Sequence, residues 1–436
     1  MPQSEFSTPA ANKAGDRRHW GQLYGAAKSL AIMSAAKKHD GLTLVLTESA
    51  KAAAALEQEL QFFSDDEQLP VLHLPDWETL PYDLFSPHQD IISERLQTLH
   101  LLPEITRGVL VVPASTAMHR LPPASYIAGN SFVYKVGEKL DIDALRQQFQ
   151  RAGYHCVDTV YEHGEFAVRG ALIDVFPMGS KHPFRIDLFD DEIETLRSFD
   201  AENQLTLEKT DSISLLPAKE FPQTDSGTKR FLDNWHLQFD VDPRQCTLYQ
   251  DIRSGNTPSG IEYYLPLFFE HTATLFEHLP ANTLLFADSE INAAASSFWH
   301  EAADRYESYG VDPTRPLLKP AQLFMPVDEL FGAIGKLPRT DIQYQSLDTA
   351  SANYNFATQL LPDLSIDSKA GQPLDKLDNF LLETEARTLF CAESPGRREV
   401  LLELLSGIGV TPSAVDSWQA FCDNKESICI TVYPLE

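Results

Sequence analysis

Basic residues are scarce in this chain. Lys and Arg total 35 against 63 Asp and Glu, a formal net charge of −28 over 436 residues. Displacing counterions from a nucleic-acid backbone takes many lysines and arginines. The shortage therefore argues against a long nonspecific DNA footprint and fits docking onto a protein partner. Long apolar runs are missing too: none reaches the ~18 residues of a transmembrane helix. Residues 1–15 are polar and lack the apolar core of a signal peptide, so they read as a disordered tail. Cysteine is sparse and unpatterned. Cys156, Cys246, Cys391, Cys422 and Cys429 make an odd count without metal spacing. They fit reduced cytosolic thiols, and no metal site is expected. No G-x-S-x-G, H-E-x-x-H or Cys–His set appears, so no catalytic residue is assigned.

What is present is a globular composition. Apolar residues make up 43%, enough for two to four domains with real cores. From residue 16 to 122 helices alternate with buried apolar strands such as Leu42–Thr47 and Val109–Val112. That alternation indicates a parallel α/β sheet. Residues 123–216 have one helix, near 142–150, and otherwise strands, an α+β insertion. The α/β character returns over 217–340. Residues 341–373 read as a linker and 374–436 as a further α/β unit. The chain stops just past a buried strand, so that unit is expected to be truncated. Trp77, Tyr82 and Phe85 are expected to be core, although a surface epitope is the other reading.

The stretch Arg169–Asp200, RGALIDVFPMGSKHPFRIDLFDDEIETLRSFD, carries the most information. Turn residues at Pro177–Ser180 and Asp190–Asp191 divide it into three short strands. Alternation puts Phe184, Ile186 and Leu188 on one face, and Arg185, Asp187 and Phe189 on the other. Arg169 is read as opening the neighbouring strand. Arginine and aromatics dominate protein–protein hot spots, but a solvated sheet face is the plainer reading of the pattern.

The same stretch resembles the partner-binding domain shared by the excision-repair protein UvrB and the transcription-repair coupling factors. The longer run EHGEFAVRGALIDVFPMGS, with DWETLPYDLFSPHQDIISERL upstream, is more similar to the coupling factors. The resemblance implies a RecA-like (P-loop NTPase) domain from which the small α+β domain emerges. It implies that the inserted domain binds UvrA, with contact residues carried over to Arg169, Arg185 and Phe189. It also implies a cytoplasmic protein whose RNA-polymerase-binding module and ATP- and magnesium-dependent DNA motor lie beyond residue 436.

Proteins of this kind open with a phosphate loop, GxxxxGK[ST]. The matching text is Gln22-Leu23-Tyr24-Gly25-Ala26-Ala27-Lys28-Ser29. Lys28 and Ser29 stand where the phosphate lysine and magnesium hydroxyl belong. The framing glycines are replaced by Gln22 and Ala27, whose Cβ atoms strain or fill the cradle. A second nucleotide motif aligns with Asp288 and Ser289, where Ser289 replaces the water-activating glutamate. Phosphoryl transfer depends on positioning and electrostatics, so the domain is expected to be a degenerate scaffold that uses no cofactor. The rival readings are an active ATP-dependent, helicase-like nucleotidase and a nucleic-acid-binding module.

Overall fold

The computed structural model describes residues 10–64, 69–366, 372–433 and 435. Its frame is a seven-stranded, all-parallel sheet. Across the sheet the strands run Asn353–Asn355, Arg17–Gly21, Arg339–Ile342, Thr283–Asp288, Leu42–Thr47, Gly108–Pro113 and Val71–His73. Leu42–Thr47 and Gly108–Pro113 are buried along their whole length, as parallel strands covered on both faces must be. The helices Ala27–Ala36 and Ala50–Phe63 follow the first strands, and Ser49 caps the second by accepting from the Ala52 N–H at 3.2 Å. Among the described residues, no helix is long and apolar enough to cross a membrane.

Between Pro113 and Thr283 the chain leaves this sheet. It builds a six-stranded sheet from residues 155 to 210, with the strand Phe132–Lys135 pairing separately with Ser212–Leu215. The helix Ile142–Arg151 buries Leu145 and Phe149 against the same core. The return is mostly helical, through Asp225–Gln238, Thr247–Arg253 and the 3-10 turn Ile261–Phe268.

A fully buried ion pair anchors the exit. Arg95, on the helix Gln89–Leu101, donates to Glu220 at 2.6 Å, and both side chains are 0% exposed. Arg95 also donates to the Pro75 carbonyl at 2.7 Å and lies over the Trp77 ring. Trp77 and Tyr82 are core residues as expected, whereas Phe85 stands out in solvent.

Beyond residue 374 a three-stranded parallel sheet centres on Ile428–Val432. Trp418 and Tyr433 of this unit pack edge-on and tilted against Phe63 and Phe62, at 5.1 and 4.8 Å.

Two expectations are corrected. The tail assigned to 1–15 is partly structured: residues 1–9 lie outside the described residues, but Ala11 is buried and its N–H donates to Thr340 Oγ1 at 3.1 Å. The linker assigned to 341–373 starts inside the sheet, since Asp341, Ile342 and Asn353–Asn355 are strand residues. Both segments are too short and polar to show a strand pattern. The later segment gains regular structure by pairing on either side of the strand Arg17–Gly21, which the sequence reading also missed.

Candidate partner-binding face and nucleotide-like cleft

The inserted sheet carries the first candidate site. Cross-strand pairing sets Asp174 opposite Arg185, Arg185 opposite Arg197, and Leu172 opposite both Arg169 and Asp187. Directly paired residues share a face, so Arg169, Leu172, Asp174, Arg185, Asp187 and Arg197 all lie on one side. Ile173, Ile186 and Leu188 are buried on the other. Arg169 ends the strand Glu165–Arg169 and does not open the next one; Gly170, at φ +64°, makes the turn between them.

Asp174 organises this face. Its carboxylate is 1% exposed and accepts from Arg185 Nε at 2.7 Å and Nη2 at 2.9 Å. Arg169 Nη2 donates to the same carboxylate. Arg185 also lies over the Phe199 ring, 4.8 Å from its centroid. Its hydrogen bond to Asp174 raises its pKa further and keeps it cationic. A second pair, Arg197 to Asp187, extends the row, with Thr195 Oγ1 donating to Asp187 at 2.7 Å. Phe189 closes the strand with 69% of its surface in solvent, before a hairpin turn in which Asp190 takes φ +55°. The face is thus a held pair of guanidiniums beside an exposed aromatic. Asp174 and Arg197 were not singled out from sequence, and Asp187 was placed on the face without a role, because these roles depend on register between strands.

The second candidate site is the phosphate-loop region. The chain brings Lys28 and Asp288 together, Nζ to Oδ2 3.4 Å apart. They line a cleft of about 380 Å³. Gln22 holds φ +60° and Gly25 φ +52°, so the loop keeps a left-handed bend at a position where glycine is absent. Gln22 is instead tied to a later segment. Its side chain donates to the Thr358 carbonyl at 2.9 Å, its N–H donates to the Gln345 carbonyl at 2.9 Å, and its carbonyl accepts from the Thr358 hydroxyl. Ser29 is fully buried, and its hydroxyl donates to the buried Glu59. Ala27 opens the helix, and the Ser289 N–H donates to the Ile342 carbonyl at 3.0 Å. Glu48, Glu59, Asp288 and Glu290 line the cleft, and Lys28 is the one cation among its described lining residues.

A third cluster joins Glu57, His73 and Glu94, whose ligand atoms lie within 4.8 Å of one another. His73 Nδ1 is 3.2 Å from Glu57 and 3.4 Å from Glu94. Burial pulls the imidazole pKa down, but hydrogen bonds to the two carboxylates outweigh it and raise it to about 9. A protonated ring then fills the place a cation would take, and the cluster is an ion triad. Its members come from three separate elements, which is why no local motif announced it.

Comparison with known proteins bears directly on these sites. Residues 132–221 match the UvrB interaction domain, and residues 380–436 match the MFD D3 domain. The chain is 45% identical to the transcription-repair-coupling factor of Escherichia coli over 417 residues, which is 95% of this chain and 36% of that protein. It is 40% identical to that of Haemophilus influenzae over 435 residues, 99% of this chain and 37% of that protein. The Bacillus subtilis protein of the same name is 27% identical over 61% of this chain and 24% of its own length. The chain belongs to the transcription-repair coupling factor family. It corresponds to the family's N-terminal region and spans little more than a third of the relatives' length, 36% and 37% in the first two. Within it, both candidate arginines and Phe189 fall inside the UvrB interaction domain.

Proposed function

We propose that this region of the coupling factor is a recruitment platform, docking UvrA onto the Arg169, Arg185 and Phe189 face. The observation that carries the reading is the arrangement around Asp174. A buried carboxylate holds two guanidiniums in place beside a 69% exposed phenylalanine. Preordered cations and an exposed aromatic are what a protein hot spot needs, since little side-chain entropy is left to lose on binding. Through parts of the full-length protein outside this chain, the platform would be delivered in the cytoplasm to RNA polymerase stalled on DNA. Calorimetry with purified UvrA tests the reading directly. Binding that UvrB competes away is expected; no heat at micromolar concentrations of both proteins overturns it.

In this reading the larger domain is a RecA-like scaffold without hydrolysis. Ser29 is withdrawn onto Glu59, Gln22 is committed to Thr358, and the cleft's carboxylates would repel a nucleotide's phosphates. The domain then needs neither ATP nor magnesium. A nucleotidase remains the rival, and saturable turnover lost in Lys28→Ala would establish it.

A further inference from the structure

A polar cleft of about 520 Å³ lies where the inserted domain meets the rest of the chain. Four segments meet there. Gln150 and His155 come from the inserted domain, Lys219 and Gln223 from the segment that follows the strand Ser212–Leu215, Thr257 from the loop after the helix Thr247–Arg253, and Ser86 from the parallel-sheet domain. Lys219 is the unusual member. It is only 8% exposed, yet its ammonium has no hydrogen-bond or ion-pair partner among the described residues. Most of this side chain is withdrawn from water, and leaving its ammonium, which faces the cleft, without a counter-ion is costly. The charge of Glu262 favours the protonated form of Lys219, but the Glu262 carboxylate accepts no hydrogen bond from it; that carboxylate accepts from Ser86 Oγ at 2.7 Å. Burial pushes the Glu262 carboxyl pKa up, which weakens it as a counter-charge.

We propose that this cleft binds a phosphate-type oxyanion, with Lys219 as its charged anchor. An apolar or cationic ligand would leave the ammonium unpaired, whereas an oxyanion supplies the missing partner. The remaining walls offer hydrogen-bond donors from several directions: the Gln150 amide, the His155 ring, and the Thr257 hydroxyl, whose oxygen accepts from the Gln223 amide. A tetrahedral anion with several oxygens can meet donors spread over separate segments, and charge-assisted bonds of this kind are the strong ones. Burial lowers the pKa of Lys219, with the Glu262 charge opposing it; a bound oxyanion would restore the charged form. Because the donors come from both domains, occupancy would brace the inserted domain against its support.

The test is calorimetric titration of the whole chain with inorganic phosphate and, separately, with glycerol phosphate. Ionic strength is held constant with chloride, and acetate serves as a control. Saturable binding of at least one phosphate species is expected, with Lys219→Met weakening it at least about tenfold. Lys219→Arg keeps the charge and should stay within about threefold. If Lys219→Met does not fold, His155→Ala takes its place and should weaken binding severalfold. Tighter glycerol phosphate assigns the cleft to a phosphorylated metabolite, and tighter inorganic phosphate to the free ion. No saturation with either species overturns the proposal. So does an equal effect of acetate, or loss of binding in Lys28→Ala with Lys219→Met unaffected.

Discussion

Arg185 donates to both oxygens of Asp174, at 2.7 and 2.9 Å, and that carboxylate is all but sealed from solvent. The pairing makes Arg185 a structural residue as well as a contact. Replacing it removes a partner from a buried charge, and part of any loss in affinity will reflect the domain's own stability. Arg169 is half exposed, and Phe189 more so. Phe189 separates binding from folding most cleanly, and loss of Arg169 still leaves Asp174 both bonds from Arg185.

Phe189→Ala and Arg169→Ala are each expected to weaken UvrA binding by about 2 kcal/mol, as truncation of an interface anchor does. Their unfolding midpoints in urea should stay near that of the parent. Unchanged affinity in the double variant, measured on folded protein, would place the interface on another surface.

Asp174→Asn is expected to lower stability by about 2–3 kcal/mol, because two guanidiniums lose their common acceptor. It should also weaken UvrA binding although Asp174 itself is buried. Calorimetry with urea unfolding on the same preparation checks both. Binding at the parent's affinity would show that the arginines need no holding.

The Arg95–Glu220 pair is expected to matter more than any surface bridge. Both charges are fully buried, so Glu220→Gln or Arg95→Met should cost about 3–5 kcal/mol by stranding the remaining charge. Equilibrium unfolding reads this out. A loss below ~1 kcal/mol would mean that water reaches the pair.

His73 gives the fold a pH dependence of predictable sign. Its folded pKa, about 9, lies above the ordinary 6.5. The ion triad therefore contributes fully below about pH 6.5, and its contribution is lost as pH rises through 9. Stability measured from pH 6 to 10 should fall more steeply in the parent than in His73→Asn. Parallel profiles would count against the triad.

ATP with magnesium is expected to leave the melting temperature unchanged and to be hydrolysed no faster than background. A saturable shift abolished by Lys28→Ala would restore a working nucleotide site.

Much of this was legible from residues alone. The apolar-rich runs Leu42–Thr47 and Gly108–Pro113, set between helices, read as central parallel strands, and both are buried along their whole length. Alternation in Phe184–Phe189 fixed which side of the inserted sheet is core and left Arg185 and Phe189 opposite it. The missing glycines at Gln22 and Ala27 are likewise read from the sequence, and the scaffold proposal rests on them. These are local signals, set by period and by backbone sterics. Tertiary structure decided what is non-local. The strands Arg339–Ile342 and Asn353–Asn355 form by pairing with Arg17–Gly21 across more than 300 positions. Asp174 meets Arg169 and Arg185 only through strand register, and the Ser29 hydroxyl meets Glu59 only because the next helix packs beside its own. Sequence period orients a side chain about its own strand or helix; which charge it meets there depends on chain that arrives from elsewhere.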